Sequence, residues 1–158
     1  MYRLFPLFRY YTTPYHGFTN PPKPKEPAMP HIVLHLSGQP DADLTRRSAR
    51  AIADLTERVL GKQRDVIAVT VQYIPHESWI IADAPLSEQG RNAFHLDISV
   101  TDETNTKAEK AQFIAAVFET MSGLLGNLHP VSYVHVIDAR AAAYGYGGRT
   151  QEYRHQHG

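Results

Sequence analysis

Hydrophobic and polar residues begin to follow a regular pattern at Pro30. The segment HIVLHL alternates between polar and apolar residues, which predicts a half-buried β-strand. From Gln39 to Gly61 the apolar residues recur at helical spacing, with Asp41 as the N-cap and Gly61 as the residue that ends the helix. The apolar run DVIAVTVQYI then predicts another strand. Residues 30–74 therefore predict a strand, a helix and a strand in succession.

The same order of elements occurs a second time. NAFHLDISV predicts a strand, residues 106–125 predict a helix that begins with a capping box at Thr106 and Glu109, and VSYVHVIDA predicts a strand. The two copies superimpose at a constant offset of 65 residues (126 − 61). Matching pairs are Gly61 with Gly126, Val66 with Val131, and Trp79 with Tyr144. The predicted buried positions of the second helix are Ile114, Val117, Phe118, Met121, Leu124 and Leu125.

This duplication predicts an α+β fold built from two β-α-β units. A helical crossover favours parallel strands within each unit, so two units give a four-stranded mixed sheet with two helices on one face. The second strand of each unit has apolar or neutral residues on both faces, and we expect a partner chain to cover the free face. The expected domain covers residues 30–150, with units at 30–90 and 91–150, and a flexible tail follows at 151–158.

The first 29 residues differ in composition from the rest of the chain. They are aromatic and basic, and the stretch TNPPKPKEPA contains four prolines, as a stiff linker does. Three explanations stay open. The segment is upstream DNA translated from a wrongly assigned start codon, a disordered leader, or an organelle-targeting leader that is later removed.

Composition excludes several classes of function. The 158 residues have a formal net charge of zero, so no basic field is available for nucleic acid or for an anionic membrane. The absence of cysteine removes disulfides, thiolate nucleophiles and cysteine-based zinc sites, and it fits a cytoplasmic location. His31 and His35 share one face of the first strand, but they lie about 13 Å apart, which is too far to hold one metal ion. We expect no cofactor and no metal.

A β-α-β unit that opens on Met29 and Pro30, duplicated within one chain, resembles the tautomerase superfamily. That superfamily includes 4-oxalocrotonate tautomerase and macrophage migration inhibitory factor. Three stretches carry the resemblance: residues 61–71, 72–79 and 134–148. The resemblance implies a catalytic N-terminal proline, a homotrimer of double-unit chains, and sites at the subunit interfaces.

Pro30 is the catalytic residue that this resemblance implies. A proline within a chain has an amide nitrogen that cannot act as a base, whereas an N-terminal proline has a secondary amine. Burial or a nearby cation lowers the pKa of such an amine towards neutrality, where a base transfers protons best. Pro30 can therefore act only if the mature chain begins there. His95 stands where a second proline would fall, which suggests one site per chain.

The resemblance also implies the residues that surround the proline. Lys62 corresponds to a lysine at the mouth of the pocket, although it could equally compensate the dipole of the first helix at its C-terminus. Tyr133 and His135 correspond to residues that reach the pocket from the neighbouring subunit, and a filled core between subunits is the other interpretation. The resemblance implies four further candidates. Three are pocket walls, namely Trp79, Tyr144 and Tyr146, and the fourth, Arg140, is a candidate clamp for a substrate carboxylate.

We expect a cofactor-free tautomerase that moves a proton between carbon and oxygen of a 2-oxo acid or a similar carbonyl compound. The two arginines of 4-oxalocrotonate tautomerase have no counterpart, because their positions hold Pro40, Ala68 and Tyr133. One alternative is a hydratase, dehalogenase or decarboxylase that uses the same proline on a small unsaturated or oxo acid. Another is a trimeric interaction protein without activity, if residues 1–29 are retained.

Overall fold

A computed structural model describes residues 30–157 of the chain. The explanations offered for residues 1–29 lie outside the described residues. In chain order the elements are β1 (His31–Ser37), α1 (Ala42–Leu60), β2 (Ala68–Ile74), β3 (Ile80–Ile81), β4 (Ala84–Pro85), α2 (Leu86–Gln89), β5 (Phe94–Thr101), α3 (Lys107–Leu125), β6 (Tyr133–Ala139), β7 (Gly145–Tyr146), β8 (Arg149–Thr150) and α4 (Gln151–His157).

Four strands form one mixed sheet in the order β2-β1-β5-β6. β1 is parallel to β2, β5 is parallel to β6, and the two central strands β1 and β5 are antiparallel to each other. Each parallel pair is joined by a long helix, as a β-α-β crossover requires. The predicted α+β fold of two β-α-β units is confirmed.

The two long helices begin and end at the residues that the sequence predicts. Asp41 caps α1, and Gly61 follows it in the left-handed conformation with φ of 64°. Thr106 and Glu109 form a reciprocal capping box at the start of α3. Gly126 follows α3 with φ of 61°, a conformation that glycine adopts at little cost.

The hydrophobic core lies between the sheet and these two helices, which pack against each other. β1 and β5 supply it through alternate residues, which are fully buried, while the residues between them face the other way. The buried core residues of the two strands are Ile32, Leu34, Leu36, Phe94, Leu96, Ile98 and Val100. On α3 the buried stripe runs through Phe113, Val117 and Met121, and the prediction that Ile114 belongs to it is wrong, because Ile114 is 40% exposed.

The other face of the sheet carries no layer of the described chain and is mainly polar. It presents His31 and His35 from β1, His95 and Asp97 from β5, and corresponding residues of β2 and β6. The sequence prediction of apolar or neutral residues concerned only the outer strands β2 and β6, and β2 presents Ala68, Thr70 and Gln72 on this face. The central strands, which that prediction did not address, place histidine and aspartate at the alternate positions that face away from the helices.

The chain ends in two small elements beyond β6. β7 and β8 form a hairpin, and its turn residues Gly147 and Gly148 have φ of 54° and 74°. Helix α4 then covers Gln151–His157, where the sequence led us to expect a tail without regular structure. Its first residue, Gln151, is buried, and its backbone N–H bonds to the carbonyl of Tyr144. Flexibility of this segment stays a prediction, as do the proposed domain limits.

Candidate active site

Pro30 lies buried immediately before β1. Its carbonyl accepts a hydrogen bond of 3.4 Å from the backbone N–H of Ala68, at the start of β2. Because β5 runs antiparallel to β1, His31 pairs with Ser99 near the far end of β5. Pro30 therefore lies at the edge of the sheet where β1 and β2 begin and where β5 and β6 end. We call this edge the proline end.

Lys62 belongs to the proline end. It follows the glycine that ends α1, and its side chain is almost buried, with only 5% of the residue exposed. Its Nζ donates a hydrogen bond of 2.8 Å to Oγ1 of Thr104, in the turn after β5. Lys62 is therefore a buried basic side chain held at the proline end of the sheet, not an exposed one at a helix terminus.

Tyr144 also lies at the proline end, in direct contact with the first residue of β1. Its phenol donates to the carbonyl of Ser99 at 3.3 Å and accepts a hydrogen bond from the backbone N–H of His31. Burial raises the pKa of this phenol, and the bond from His31 only partly opposes the rise. Tyr144 is therefore a neutral, partly buried aromatic group beside the residue that follows Pro30.

Tyr146 and Arg140 lie near this end, but each has a different environment. The guanidinium of Arg154, on α4, stacks 3.8 Å from the ring centre of Tyr146 and donates to the Tyr146 carbonyl at 2.9 Å. Arg140 follows β6 and is exposed, and its carbonyl accepts a hydrogen bond from Ala143. Tyr146 thus packs against the terminal helix, and Arg140 extends towards solvent beside the proline end.

The three remaining predicted residues lie at the opposite end of the sheet, around a cavity of about 790 Å³. Tyr133 and His135 come from β6, and Trp79 comes from the segment after β2. The cavity opens on the polar face of the sheet. Its lining consists of His35, Ile74, Ser78, Trp79, Ile80, Ile81, Ala82, His95, Val131, Tyr133 and His135. We call it the histidine cavity.

One row of side chains crosses all four strands at the base of the histidine cavity. The strand register pairs Gln72 with His35, His35 with His95, and His95 with Tyr133. Nε2 of His35 lies 3.0 Å from Oε1 of Gln72. The ring centres of His35 and His95 are 6.1 Å apart, and those of His95 and Tyr133 are also 6.1 Å apart.

Asp97 links the row to His135. Its Oδ1 lies 3.2 Å from Nε2 of His95 and 3.3 Å from Nδ1 of His135. A carboxylate can only accept hydrogen bonds, so the bond between Asp97 and His95 requires the tautomer of His95 that carries a proton on Nε2. His135 lies within ion-pair distance of the same oxygen.

Within one chain the predicted residues form two groups rather than one pocket. His35, which is in the same cross-strand row as Tyr133, comes five residues after Pro30, and this separates the two ends by about 16 Å. The groups are related by the internal repeat, because Trp79 matches Tyr144 and His95 matches Pro30 at the offset of 65.

Sequence reasoning missed the cluster in which Asp97 lies between His95 and His135. The signal was present in the segment FHLDIS, where polar residues alternate with buried ones and must share a face. The sequence did not show the strand order, in which β5 lies between β1 with His35 and β6 with His135. No group of three metal-ligating side chains with suitable geometry occurs within residues 30–157.

Comparison with solved structures places this architecture among known proteins. The fused 4-OT wild type symmetric trimer matches with a TM-score of 0.67 and 17% identity, covering 78% of this chain and 98% of that chain. A protein whose crystal structure was determined after inactivation by 2-oxo-3-pentynoate has a TM-score of 0.67 and 15% identity, over 77% of this chain and 96% of its own. The chain shares the fold of these proteins, which is the fold that its resemblance to the tautomerase superfamily implies.

The tautomerase fold is also shared by a macrophage migration inhibitory factor-like protein from Entamoeba histolytica, with a TM-score of 0.64 and 16% identity over 77% of this chain and 98% of that chain. Comparisons of the sequence with protein-family models and with curated proteins give no match. The match to fused 4-OT confirms the double-unit architecture that the internal repeat predicts. No helix among the described residues is long and apolar enough to span a membrane.

Proposed function

We propose that the chain beginning at Pro30 is a cofactor-free tautomerase that transfers a proton between carbon and oxygen of a 2-oxo acid or a similar enolisable carbonyl compound. The observation that supports it best is the position of Pro30 in a tautomerase fold. It lies buried at the start of β1, at the same end of the sheet as Lys62 and Tyr144.

The proposed base is the secondary amine of Pro30. Burial penalises the charged form of an amine, and a neighbouring ammonium group such as Lys62 acts in the same direction. Both effects lower the pKa of the amine towards neutrality, where a general base is most effective. The phenol of Tyr144 lies beside the start of β1, where it donates a hydrogen bond to the carbonyl of Ser99, the residue that pairs with His31.

The substrate site needs donors for the developing enolate, and we assign these to two subunits. Lys62 would come from the subunit that supplies Pro30, while Tyr133 and His135 would come from a neighbouring subunit of a homotrimer. This accounts for their distance from Pro30 within one chain. Trp79, Tyr144 and Tyr146 would be pocket walls, and the exposed Arg140 would be available to a substrate carboxylate.

The trimer has two kinds of support. The described outer strands β2 and β6 each have one edge without a neighbouring strand, and such edges favour pairing with another chain. The fused 4-OT protein with the same fold is named a symmetric trimer. The absence of cysteine from the sequence fits a reducing compartment such as the cytoplasm.

Ketonisation of phenylenolpyruvate by residues 30–158 tests the proposal. The chain is produced with a single initiator methionine, whose removal leaves Pro30 as the N-terminus, and intact mass verifies the removal. We expect Pro30→Ala to lower the rate by about 10²- to 10⁴-fold, the usual contribution of a positioned general base. Pro40→Ala is a matched control in the loop after β1 and should keep most of the activity. Equal rates for Pro30→Ala and the parent chain would overturn the mechanism.

A non-enzymatic trimeric protein is the alternative, because Met29 acylates Pro30 in the chain as written. An acylated proline has no basic nitrogen. The N-terminal mass of protein made from the native gene distinguishes the two functions. A mass that begins at Pro30 supports the enzyme, and a retained segment 1–29 supports the interaction protein.

A further inference from the structure

Thr104, in the turn after β5, holds the side chain of Lys62 at the proline end. Its hydroxyl oxygen accepts the hydrogen bond of 2.8 Å from Nζ of Lys62. We propose that Thr104 is a positioning residue, which sets the amino group of Lys62 for the enolate oxygen that forms beside Pro30. This inference rests on the proposed tautomerase activity, and Thr104 acts in it through Lys62 rather than on the substrate.

The hydroxyl of Thr104 has one role towards Lys62, which is to accept. A threonine hydroxyl carries one proton and has two lone pairs that accept hydrogen bonds. That proton has two acceptors within reach, the backbone carbonyl of Thr101 at 2.5 Å and Oδ1 of Asn105 at 3.4 Å, and the nearer one takes it. The oxygen is therefore left to accept from Nζ of Lys62, and its position is tied to the end of β5.

The end of β5 lies beside Pro30. His31 pairs with Ser99 in the antiparallel register of β1 and β5, so one further step along both strands sets Pro30 opposite Val100. Thr101 is the next and last residue of β5, and neighbouring strands of a sheet are about 4.8 Å apart. The carbonyl to which Thr104 is bonded thus belongs to the part of the sheet next to Pro30.

Lys62 approaches this part of the sheet from the side on which Pro30 lies. Pro30 is buried, and the alternation of β1 puts it with Ile32 on the side that carries the helices. Lys62 follows α1, which belongs to that helix layer. A lysine side chain has many rotamers of similar energy, so a hydrogen bond at its tip decides where the amino group lies.

The turn that carries Thr104 is anchored to both long helices. The side-chain amide of Asn105 is buried and donates to the carbonyl of Leu60, the last residue of α1, at 3.0 Å. It also donates at 3.3 Å to Oε2 of Glu109, which belongs to the capping box of α3. The acceptor for Lys62 therefore stands on a fixed support, as the precise placement of a catalytic group requires.

Ketonisation of phenylenolpyruvate by residues 30–158, with Pro30 verified as the N-terminus by mass, tests the role of Thr104. Thr104→Val keeps the shape of the side chain and removes the acceptor, so kcat should fall by about tenfold or more while KM changes less than about twofold. Thr104→Ser keeps the hydroxyl and should retain the rate within about threefold. The control Thr45→Val removes a hydroxyl that bonds within the first turn of α1, and its rate should match the parent chain within about twofold.

A double-mutant cycle separates positioning of Lys62 from a general loss of structure. Lys62→Met removes the amino group, and in that background Thr104→Val should change the rate by less than about twofold. An equal loss with and without Lys62 would overturn the inference, as would full activity of Thr104→Val in an active parent chain. Circular dichroism verifies folding, and Thr104→Ala replaces Thr104→Val in the cycle if the valine variant does not fold.

Lysine labelling distinguishes a failure of this inference from a failure of the proposed function. Residues 30–158 contain three lysines, and the exposed Lys107 serves as the internal reference for Lys62. With limiting acetic anhydride and peptide mass spectrometry, we expect Thr104→Val to raise the acetylation rate of Lys62 relative to Lys107 by about fivefold or more, because the amino group is released. An inactive parent chain would overturn the proposed function together with this inference. An active parent chain with unchanged labelling in Thr104→Val would overturn this inference alone.

Discussion

At the start of α1, the carboxylate of Asp41 accepts hydrogen bonds from the backbone N–H groups of Asp43 at 2.8 Å and Leu44 at 2.9 Å. The bond from Leu44 is the main cause that lowers the pKa of Asp41 below its ordinary value of 3.8. Desolvation opposes the shift, while the bond from Asp43 and the charges of Arg47 and Arg46 add to it. One side chain therefore defines the first turn of the helix and links its stability to pH.

Asp41→Asn should change the way in which stability depends on pH. A carboxyl group whose pKa is lowered in the folded state stabilises that state above its unfolded pKa, and the contribution is lost as pH falls through the folded pKa. Asparagine also caps helices but does not ionise in this range. We expect the parent chain to be the more stable at pH 6 and the difference to shrink below about pH 4. Urea unfolding at both pH values measures it, and a difference independent of pH would contradict the linkage.

Two neighbouring residues of α3 give a second prediction at this scale. Phe113 is fully buried, and Ile114 is 40% exposed. Phe113→Ala removes a large side chain from the core and should lower the free energy of unfolding by about 3–5 kcal/mol. Ile114→Ala should lower it by less than about 1 kcal/mol. Urea denaturation of residues 30–158 compares the two, and a similar loss for both would mean that the buried face of α3 is not the one described.

The limits of the sequence prediction are visible at Phe113 and Ile114. Both residues are apolar and adjacent, and the helix contains many alanines, so the pattern allows either one to face the sheet. The rotation of the helix is decided by packing against α1 and β6, which the sequence pattern does not contain. The polar pairs of the histidine cavity were missed for a similar reason, because contacts between strands depend on register.

Among the elements, the long helices were predictable and the short ones were not. The helices α1 and α3 have strong local signals at both ends, in Asp41 with Gly61 and in Thr106 with Gly126. The hairpin β3–β4 and helix α2 span only two to four residues per element, and their conformation depends on contacts such as the bonds of Gln89 Nε2 to the carbonyls of Ile81 and Ala84.

Two glycines allow a test at the scale of elements. In Gly145 of β7, an added Cβ would lie 2.1 Å from the carbonyl oxygen of Arg149. In Gly123 of α3, an added Cβ would meet nothing within 4 Å. Gly145→Ala should therefore disrupt the hairpin β7–β8, whereas Gly123→Ala should stabilise the helix by about 0.5–1 kcal/mol.

Thermal unfolding followed by circular dichroism compares the two variants. The midpoint should fall for Gly145→Ala and rise for Gly123→Ala. Hydrogen exchange of the Thr150 and Gln151 amides should increase only in Gly145→Ala, because these amides belong to the hairpin and the start of α4. A rise in the midpoint for both variants would contradict the close approach of β7 and β8.

On the scale of the whole molecule, the repeat produces two ends that look alike in backbone and differ in chemistry. At one end a proline, a buried lysine and a tyrosine come together, and at the other a tryptophan and three histidines do. A trimer would bring unlike ends of different subunits into contact, so that the residues separated by about 16 Å within one chain can serve one site. Assembly is therefore the property on which the proposed activity depends most.

Lysine substitutions at two exposed isoleucines distinguish a trimer that covers the sheet side, meaning the polar face of the sheet, from a chain that stays monomeric. Ile80 lines the histidine cavity, and Ile114 is exposed on helix α3. We expect sedimentation of residues 30–158 to give three times the protomer mass at micromolar concentration. Ile80→Lys should weaken the trimer, since it would bury a charge at the interface, while Ile114→Lys should leave the mass unchanged. A monomeric parent chain, or equal dissociation by both variants, would contradict assembly through the sheet side.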